Sequence, residues 1–486
     1  MTIETYWPDA ATRADFARQA EEKGRANPSF WNGLPMFPTR PVDGHKGTFG
    51  TALCVGGSRG MSGAISLTGS AALVAGAGLT RLFVPESILE TVAGFAREYT
   101  TIPGACDASG RLTSAAFDAI LAEAANATAL AVGPGFGRSA EATRLVVELF
   151  FELERPAVFD ADALNALAEA GVFDETQTLE TRELEKKKAV AEGTENAVGE
   201  KGGEQEKNAK NAAPSNRFAG RKPRGARILT PHPGEFARLT GAKPTGDRTA
   251  RIDAATAFAE RLERLFGDGA RRRSESEKTV ATALKNDATL GTLESFLSGE
   301  NGATDGTASG APSTVEAKRR DAANGGDSAS RREKRTLQVD NPKTVGDYSD
   351  GGGSGDSCAE ARKTQGDFSS TAKERASDGA SFVVVLKGAG TVVADGNGAV
   401  CVNETGNPNL ATGGSGDVLT GVIVGLLAQG ATPFDAARLA VALHGLAADL
   451  RATRCSRGAV ASDVVRFLPL AFDFYEAAQR AARREV

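Results

Sequence analysis

Asn407-Pro408-Asn409-Leu410-Ala411-Thr412-Gly413-Gly414-Ser415-Gly416-Asp417-Val418-Leu419-Thr420-Gly421 is a glycine-dense loop that runs into an apolar, helix-forming stretch with a carboxylate at the junction. Gly413, Gly414 and Gly416, with Ser415 between them, leave backbone N–H groups uncovered just ahead of a helix N-terminus, an arrangement suited to an anion such as phosphate. Asp417 would repel that anion, which makes little sense for simple phosphate binding. Its place becomes intelligible if it takes a proton from a hydroxyl while phosphate lies beside it, so loop plus base reads as phosphoryl transfer. The competing reading is an ordinary loop with Asp417 as a first-turn charge.

Outward from that loop, short apolar or β-branched runs alternate with Ala- and Leu-rich helical patterns. Strands are expected at Thr51–Val55, 79–84, 130–132 and Ala157–Phe159, with helices at 63–77, 112–125, 139–153 and 162–170. The rhythm resumes at 227–230, helix 248–266 and Phe382–Leu386. A hairpin at 391–394 and 399–402 turns through Asp395-Gly396-Asn397-Gly398. Helices at 417–429 and 433–451, the second with Thr432 as N-cap and Pro433 at its first position, precede a final helix. Alternating strands and helices predict an α/β fold, a mostly parallel central sheet with helices on both faces. Two stretches, 174–225 and 268–380, are rich in Gly, Ser, Lys, Glu and Arg and lack apolar periodicity; they read as disordered, low-complexity insertions. Residues 1–45 read as a helical leader with a Pro-rich approach, and 46–486 as one interrupted domain, not the two or three that 486 residues would suggest.

A net charge of -5 gives no case for nucleic acid, and the arginine clusters at 271–273, 319–320 and 331–332 fall in mixed-charge insertion. Five cysteines without CxxC spacing fit a reducing compartment, with Cys54 and Cys401 as small hydrophobes in apolar runs. No basic-then-apolar start and no long uninterrupted apolar stretch is present, so a cytoplasmic protein without a membrane span is expected.

Glycine-rich turns follow several strands: Gly56-Gly57-Ser58, Gly133-Pro134-Gly135-Phe136-Gly137 and Lys387-Gly388-Ala389-Gly390-Thr391 join the Gly413-to-Asp417 loop. One such turn says little, but ligands bind at the carboxyl ends of strands in open α/β sheets, and four turns there form a constellation. Lys387 should stand at the mouth of the sheet, where its ammonium meets a phosphate or only solvent. In Thr230-Pro231-His232-Pro233-Gly234-Glu235 two prolines fix His232 before a helix, and Glu235 suits a phosphate-bound Mg²⁺ held through water. The bland alternatives are a structural His232 and a first-turn charge at Glu235. Asp160, Asp162 and Asn165 also follow a strand; either the carboxylates contact metal-water or a hydroxyl, or Asp162 caps the next helix. His444, inside an apolar helix, reads as a packed histidine, and no HExxH, GxSxG, Walker A or zinc spacing is present.

Taken together, HKGTFG, LCVGGSRGMSGAISLTGSAALVAGAGL, AVGPGFG, FDADALNAL, ILTPHPGEFARLTG, VVVLKGAGT and NPNLATGGSGDVLTGVIVGLL resemble, in order, the ADP/ATP-dependent NAD(P)H-hydrate dehydratases of the ribokinase-like superfamily. The resemblance runs through nearly everything except the leader and the two insertions. It implies a repair reaction, in which the ring hydroxyl of the S epimer of hydrated NADH or NADPH is phosphorylated and phosphate is then eliminated, giving AMP and phosphate. It implies Mg²⁺, and ADP as phosphoryl donor with ATP as the alternative. Matched residue by residue, Ala64, Gly135, His232 and Asp417 correspond to hydrate-contacting positions, with Asp417 catalytic. Lys387, Gly388, Ala389, Gly390, Thr391 and Gly416 correspond to nucleotide contacts. A separate NAD(P)H-hydrate epimerase is expected as functional partner, since the leader leaves no room for one, and bacterial relatives are commonly homo-oligomers. Two other readings compete: a ribokinase-like kinase of a small alcohol such as a hydroxymethylpyrimidine or thiazole, and a silent nucleotide-binding scaffold.

Overall fold

The computed structural model describes residues 10–174, 218, 221–244, 246–267, 381–453 and 457–485. The second insertion, and most of the first, lie outside these residues. Two helices come first, α1 (Ala10–Ala26) and α2 (Pro28–Gly33). Then follow β1 (Thr51–Val55), α3 (Ser62–Val74), β2 (Leu79–Pro85), α4 (Leu89–Ala93), β3 (Thr100–Gly104), α5 (Phe117–Ala124) and β4 (Ala129–Val132). The middle of the chain supplies α6 (Ala140–Glu152), β5 (Ala157–Phe159), α7 (Asp162–Glu169), β6 (Arg227–Leu229), α8 (Pro233–Thr240) and α9 (Arg248–Phe266). Last come β7 (Phe382–Leu386), β8 (Val392–Asp395), β9 (Val400–Val402), α10 (Ser415–Ala428), α11 (Pro433–Ala452) and α12 (Ala461–Arg484).

The strands form one sheet in the order β3-β2-β1-β4-β5-β6-β7-β8-β9. Pairs from β3 to β7 are parallel, and the β8–β9 hairpin is antiparallel to β7 and within itself. This is the mostly parallel sheet, covered on both faces, that the strand–helix alternation predicts. Burial on both faces explains why β7 reads Phe-Val-Val-Val-Leu without a polar break: Val383 and Val385 face one core, Phe382, Val384 and Leu386 the other. At the far edge, β3 escapes the sequence pattern because Thr100–Gly104 is short, half-exposed and carries Pro103, which only an edge strand tolerates. The helix expected at 112–125 is shorter than its pattern: Leu112 makes a bridge with Cys106, a 3₁₀ turn spans Ser114–Ala116, and α5 starts at Phe117.

Parts of the chain read as peripheral are packed. Trp31 in the leader is buried against α12, where Gln479 Nε2 donates to the Trp31 and Leu34 carbonyls. Ahead of the 225 boundary, Phe218 stacks on Phe151 and Arg221 pairs with Glu148 and Glu152.

The seating of α10 on α3 matters most for the site. A Cβ at Gly421 would run into the Thr68 carbonyl oxygen, and one at Gly425 would lie 2.6 Å from that of Ala72. The two glycines let the helices approach closely, and Thr68 Oγ1 then donates to the Asp417 carbonyl at 3.1 Å, tying the first turn of α10 to α3. Gly421→Val is expected to lower stability in urea unfolding by roughly 2–3 kcal/mol, as overpacking does. A loss below about 0.5 kcal/mol would mean the helix pair has slack at this contact.

Candidate active site

The carboxyl ends of the parallel strands bring the chemistry-bearing residues together. β5 delivers Asp160, β6 leads through Thr230 and Pro231 to His232, and β7 delivers Lys387. Between Asp160 and Asp162 stands Ala161 at φ 52°, the one non-glycine residue with positive φ among those described. Such a backbone costs on the order of 1–3 kcal/mol and persists where the surroundings enforce it. It separates two carboxylates with different work. Asp160 Oδ1 accepts from Lys387 Nζ at 2.7 Å and Oδ2 from Thr420 Oγ1 at 2.7 Å. Asp162 Oδ2 accepts from the Gly137 N–H at 2.9 Å, tying the Gly133-to-Gly137 turn in place, and does not cap its own helix. Asn165 accepts from Arg238.

Helix α10 begins at Ser415, two residues earlier than expected, so Asp417 lies inside its first turn. Gly414, at φ +88°, makes the bend into the helix. The Ser415 N–H is spent on the Thr412 carbonyl, whereas the amides of Gly416 and Asp417 have no acceptor among the described residues. A Cβ at Gly416 would stand 3.3 Å from Lys387 Nζ and 3.7 Å from Asp160 Oδ2, so a side chain there would press on the lysine end. His444 sits behind the loop, its Nε2 3.0 Å from the Ser415 carbonyl oxygen, and burial pushes its pKa down to about 4; it is a packed, neutral histidine.

The electrostatics follow from burial. Asp417 is pushed up to about 6, first by burial and then by the charge of Asp160, with Lys387 opposing and Asp162 adding a little. No donor among the described residues reaches its carboxylate, so it is available as a base. Lys387, 17% exposed, would be pushed down by burial, but Asp160 and Glu235 outweigh that and hold it above the ordinary lysine value. Glu235 is pushed up to about 7, by burial first and against the pull of Lys387 3.8 Å away. Burial, and then Lys387, lowers His232.

A cavity of about 1080 Å³ opens over this cluster. Its wall contains His232, Glu235, the whole 387–391 turn, Gly414, Ser415, Gly416 and Asp417, together with Asp160 and His444. Gly413, Ala64 and Gly135 are not in that wall. Gly135, at φ +63°, instead packs against Met61 and Ala64 at the start of α3. Two of the expected residues are occupied differently from their simplest reading. His232 is the N-cap of α8, its Nδ1 accepting from Gly234 and Glu235 N–H while Glu235 Oε2 accepts from the His232 N–H at 2.8 Å. Thr391 Oγ1 donates to the Gly388 carbonyl and closes its own turn. Asp160, left undecided by the sequence, and Thr420, not singled out at all, prove central to the cluster; the only signal for Asp160 was an acid at the end of an apolar strand.

The family model described as NAD(P)H-hydrate dehydratase matches residues 52–180 and 356–470, half of the 486 residues in all. The chain belongs to that family. A relative from Moorella thermoacetica, called bifunctional NAD(P)H-hydrate repair enzyme Nnr, is 29% identical over 435 residues, 89% of this chain and 51% of its own length. The ADP-dependent (S)-NAD(P)H-hydrate dehydratase of Neisseria meningitidis serogroup B is 28% identical over 427 residues, 85% of this chain and 81% of that protein. A crystal structure of the Bacillus subtilis ADP/ATP-dependent NAD(P)H-hydrate dehydratase, co-crystallised with ATP/Mg²⁺, overlaps 94% of this chain and 97% of that one at 21% identity, with a TM-score of 0.48. The chain spans about half the length of the bifunctional relatives it matches. Within this NAD(P)H-hydrate dehydratase family member, the matched stretches carry Asp160, Lys387 and Asp417, while His232 and Glu235 fall between them.

Among the described residues no group of three or more His, Cys, Asp or Glu side chains forms a ready metal cage, and no helix is long and apolar enough to cross a membrane.

Proposed function

We propose that this chain is an ADP-dependent dehydratase of the S epimer of hydrated NADH and NADPH. One observation carries the reading: Asp417, a carboxylate with raised pKa and no hydrogen-bond donor of its own, faces the cavity beside free helix-end amides and the 387–391 turn. A base, an anion cradle and a nucleotide-sized cavity are what transfer of a phosphoryl group to an alcohol requires. The names of the family and of its Neisseria relative supply the substrate class. In the first step Asp417 takes the hydroxyl proton as the ring oxygen bonds to the terminal phosphorus of ADP and the bond to AMP breaks. The amides of Gly416 and Asp417 receive charge on the transferred oxygens. In the second step the ring C–O bond breaks with its electron pair leaving on phosphate, a far better leaving group than hydroxide, and loss of a ring proton restores the dihydronicotinamide.

The carboxylates in the wall fit a Mg²⁺ that brings most of its ligands as water and phosphate oxygens. Asp160 is committed to Lys387 and Thr420, and Glu235 Oε2 accepts from the His232 N–H, so Glu235 Oε1 would hold such an ion through water. The ion would supply charge neutralisation on the phosphates. We further propose that Ala64 and Gly135, on the α3 side of Asp417, meet the hydrate, that an NAD(P)H-hydrate epimerase activity feeds in the R form, and that the reaction runs in the cytoplasm, in keeping with the free thiols of Cys54, Cys106 and Cys401.

The test is incubation of the purified chain with hydrated NADH and ADP, following the absorbance of the reduced nicotinamide. Return of that absorbance is expected; its absence from folded protein would overturn the function. Because Asp417 acts ionised, kcat/KM is expected to fall as pH drops through about 6, roughly tenfold per unit below it. A profile flat down to about pH 5 would remove Asp417 as the base.

A further inference from the structure

The cavity wall contains a cation that the charged cluster does not use. Arg251, in the first turns of α9 and 9% exposed, lines the cavity from beneath the 387–391 turn. Its guanidinium donates to the Leu386 carbonyl at 3.2 Å, to that of Lys387 at 3.3 Å, and to that of Ala389. Its Nε is buried, and among the described residues it meets no acceptor and pairs with no carboxylate. Burial holds its pKa below the usual arginine range.

A buried, uncompensated guanidinium against a cavity is costly unless something anionic completes it. The turn is built around this cation. Gly388 sits at φ +144°, and a Cβ there would stand 2.9 Å from Arg251 Nη2. Because carbonyl and N–H point oppositely across a trans peptide, pulling the Ala389 carbonyl onto Arg251 turns the Gly390 N–H away from it. That amide has no acceptor among the described residues. Arg248, three residues earlier and therefore on the same face of the helix, also lines the cavity. It is exposed and makes no ion pair with any described residue.

We propose that α9 is the phosphate-selecting wall of the nucleotide site, with Arg251 a positioning residue that shapes and charges the 387–391 turn, and Arg248 a direct contact to the diphosphate. This rests on the proposed function, and it assigns to α9 a role that neither glycine turn carries alone. The ligand class is a nucleoside polyphosphate, distinguished from its nucleoside by charge.

Binding of ADP and of adenosine to the full chain, measured by calorimetry, decides it. Wild type is expected to prefer ADP strongly. Arg248→Gln should weaken ADP by roughly tenfold or more while adenosine stays within about twofold, as loss of one charge-assisted hydrogen bond requires. Arg251→Lys keeps the charge but cannot span three carbonyls, so it should weaken both ligands. Wild type that binds ADP, with Arg248→Gln unchanged or weakened equally toward both ligands, overturns this inference and leaves the proposed function standing. Wild type that binds neither ligand overturns both. Arg248 is exposed and unpaired, so its variant decides the matter even if Arg251→Lys fails to fold.

Discussion

Asp417→Asn is expected to cut turnover by roughly 10³-fold or more and, in the same protein, to raise its stability. The two effects share one cause. Burial and the charge of Asp160 push Asp417 from 3.8 up to about 6, so the folded protein holds an ionised group in a place that disfavours ionisation. At ~1.4 kcal/mol per pKa unit the cost at neutral pH is on the order of 2–3 kcal/mol, and asparagine removes it without changing the shape. The sign is that of a raised acid: between about pH 4 and pH 6 the native state binds more protons than the unfolded chain, so its stability falls as pH rises, and above about 6 the full cost is present. The gain from asparagine should therefore be complete at about pH 7.5 in urea unfolding and vanish toward about pH 4. ADP binding should remain measurable. Undiminished turnover would remove Asp417 from catalysis, and a stability gain independent of pH would mean that something other than ionisation is being relieved.

What the sequence made legible was local. The glycine loop with its acid, the order of strands and helices, and the Val-rich run of β7 each follow from spacing within a dozen residues. Two-face burial then makes an unbroken apolar strand the natural choice for the centre of a parallel sheet. The cluster beneath the cavity was not legible, because its bonds cross the chain. Lys387 and Asp160 are 227 residues apart, and Thr420 and Asp160 are 260 apart. No periodicity connects them. Lys387 was expected to face a phosphate or solvent; it stands instead between two carboxylates, and any anion it meets must compete with them. The Thr-Pro-His-Pro-Gly-Glu string reads as a rigid turn before a helix, and of the two readings of its histidine the structural one is seen: His232 caps that helix through Nδ1. An edge strand with a proline and a strained alanine at φ 52° leave no mark in composition at all. The helix tying the 387–391 turn from below is legible as a helix, while no motif or spacing marks Arg251, which does the tying.

Lys387→Met should be the most disruptive single change to the site, removing turnover and costing roughly 3–5 kcal/mol of stability, the range for breaking a buried ion pair by deleting one partner. Methionine keeps much of the aliphatic stem, so the loss is one of charge. Asp160, 1% exposed, would be left with only the Thr420 hydroxyl, among the described residues, donating to its carboxylate. Asp417 responds as well: Lys387 is the group that lowers it, so its removal moves Asp417 further up, and any residual activity should lose its acid limb at a higher pH than in the wild type. Adding Asp160→Asn to the same chain neutralises the stranded charge and should restore most of the stability, because an absent pair is far cheaper than half of one. Turnover should not return with it. If Lys387 served only to neutralise Asp160, the double variant would recover activity along with its fold; recovery of the fold alone means that the ammonium acts on the ligand, at the point where the 387–391 turn, the helix-end amides and Asp417 converge. Urea unfolding and the nicotinamide assay on the two single variants and the double variant separate these outcomes, since the stability cycle isolates the pair energy and the activity cycle isolates what the pair is for.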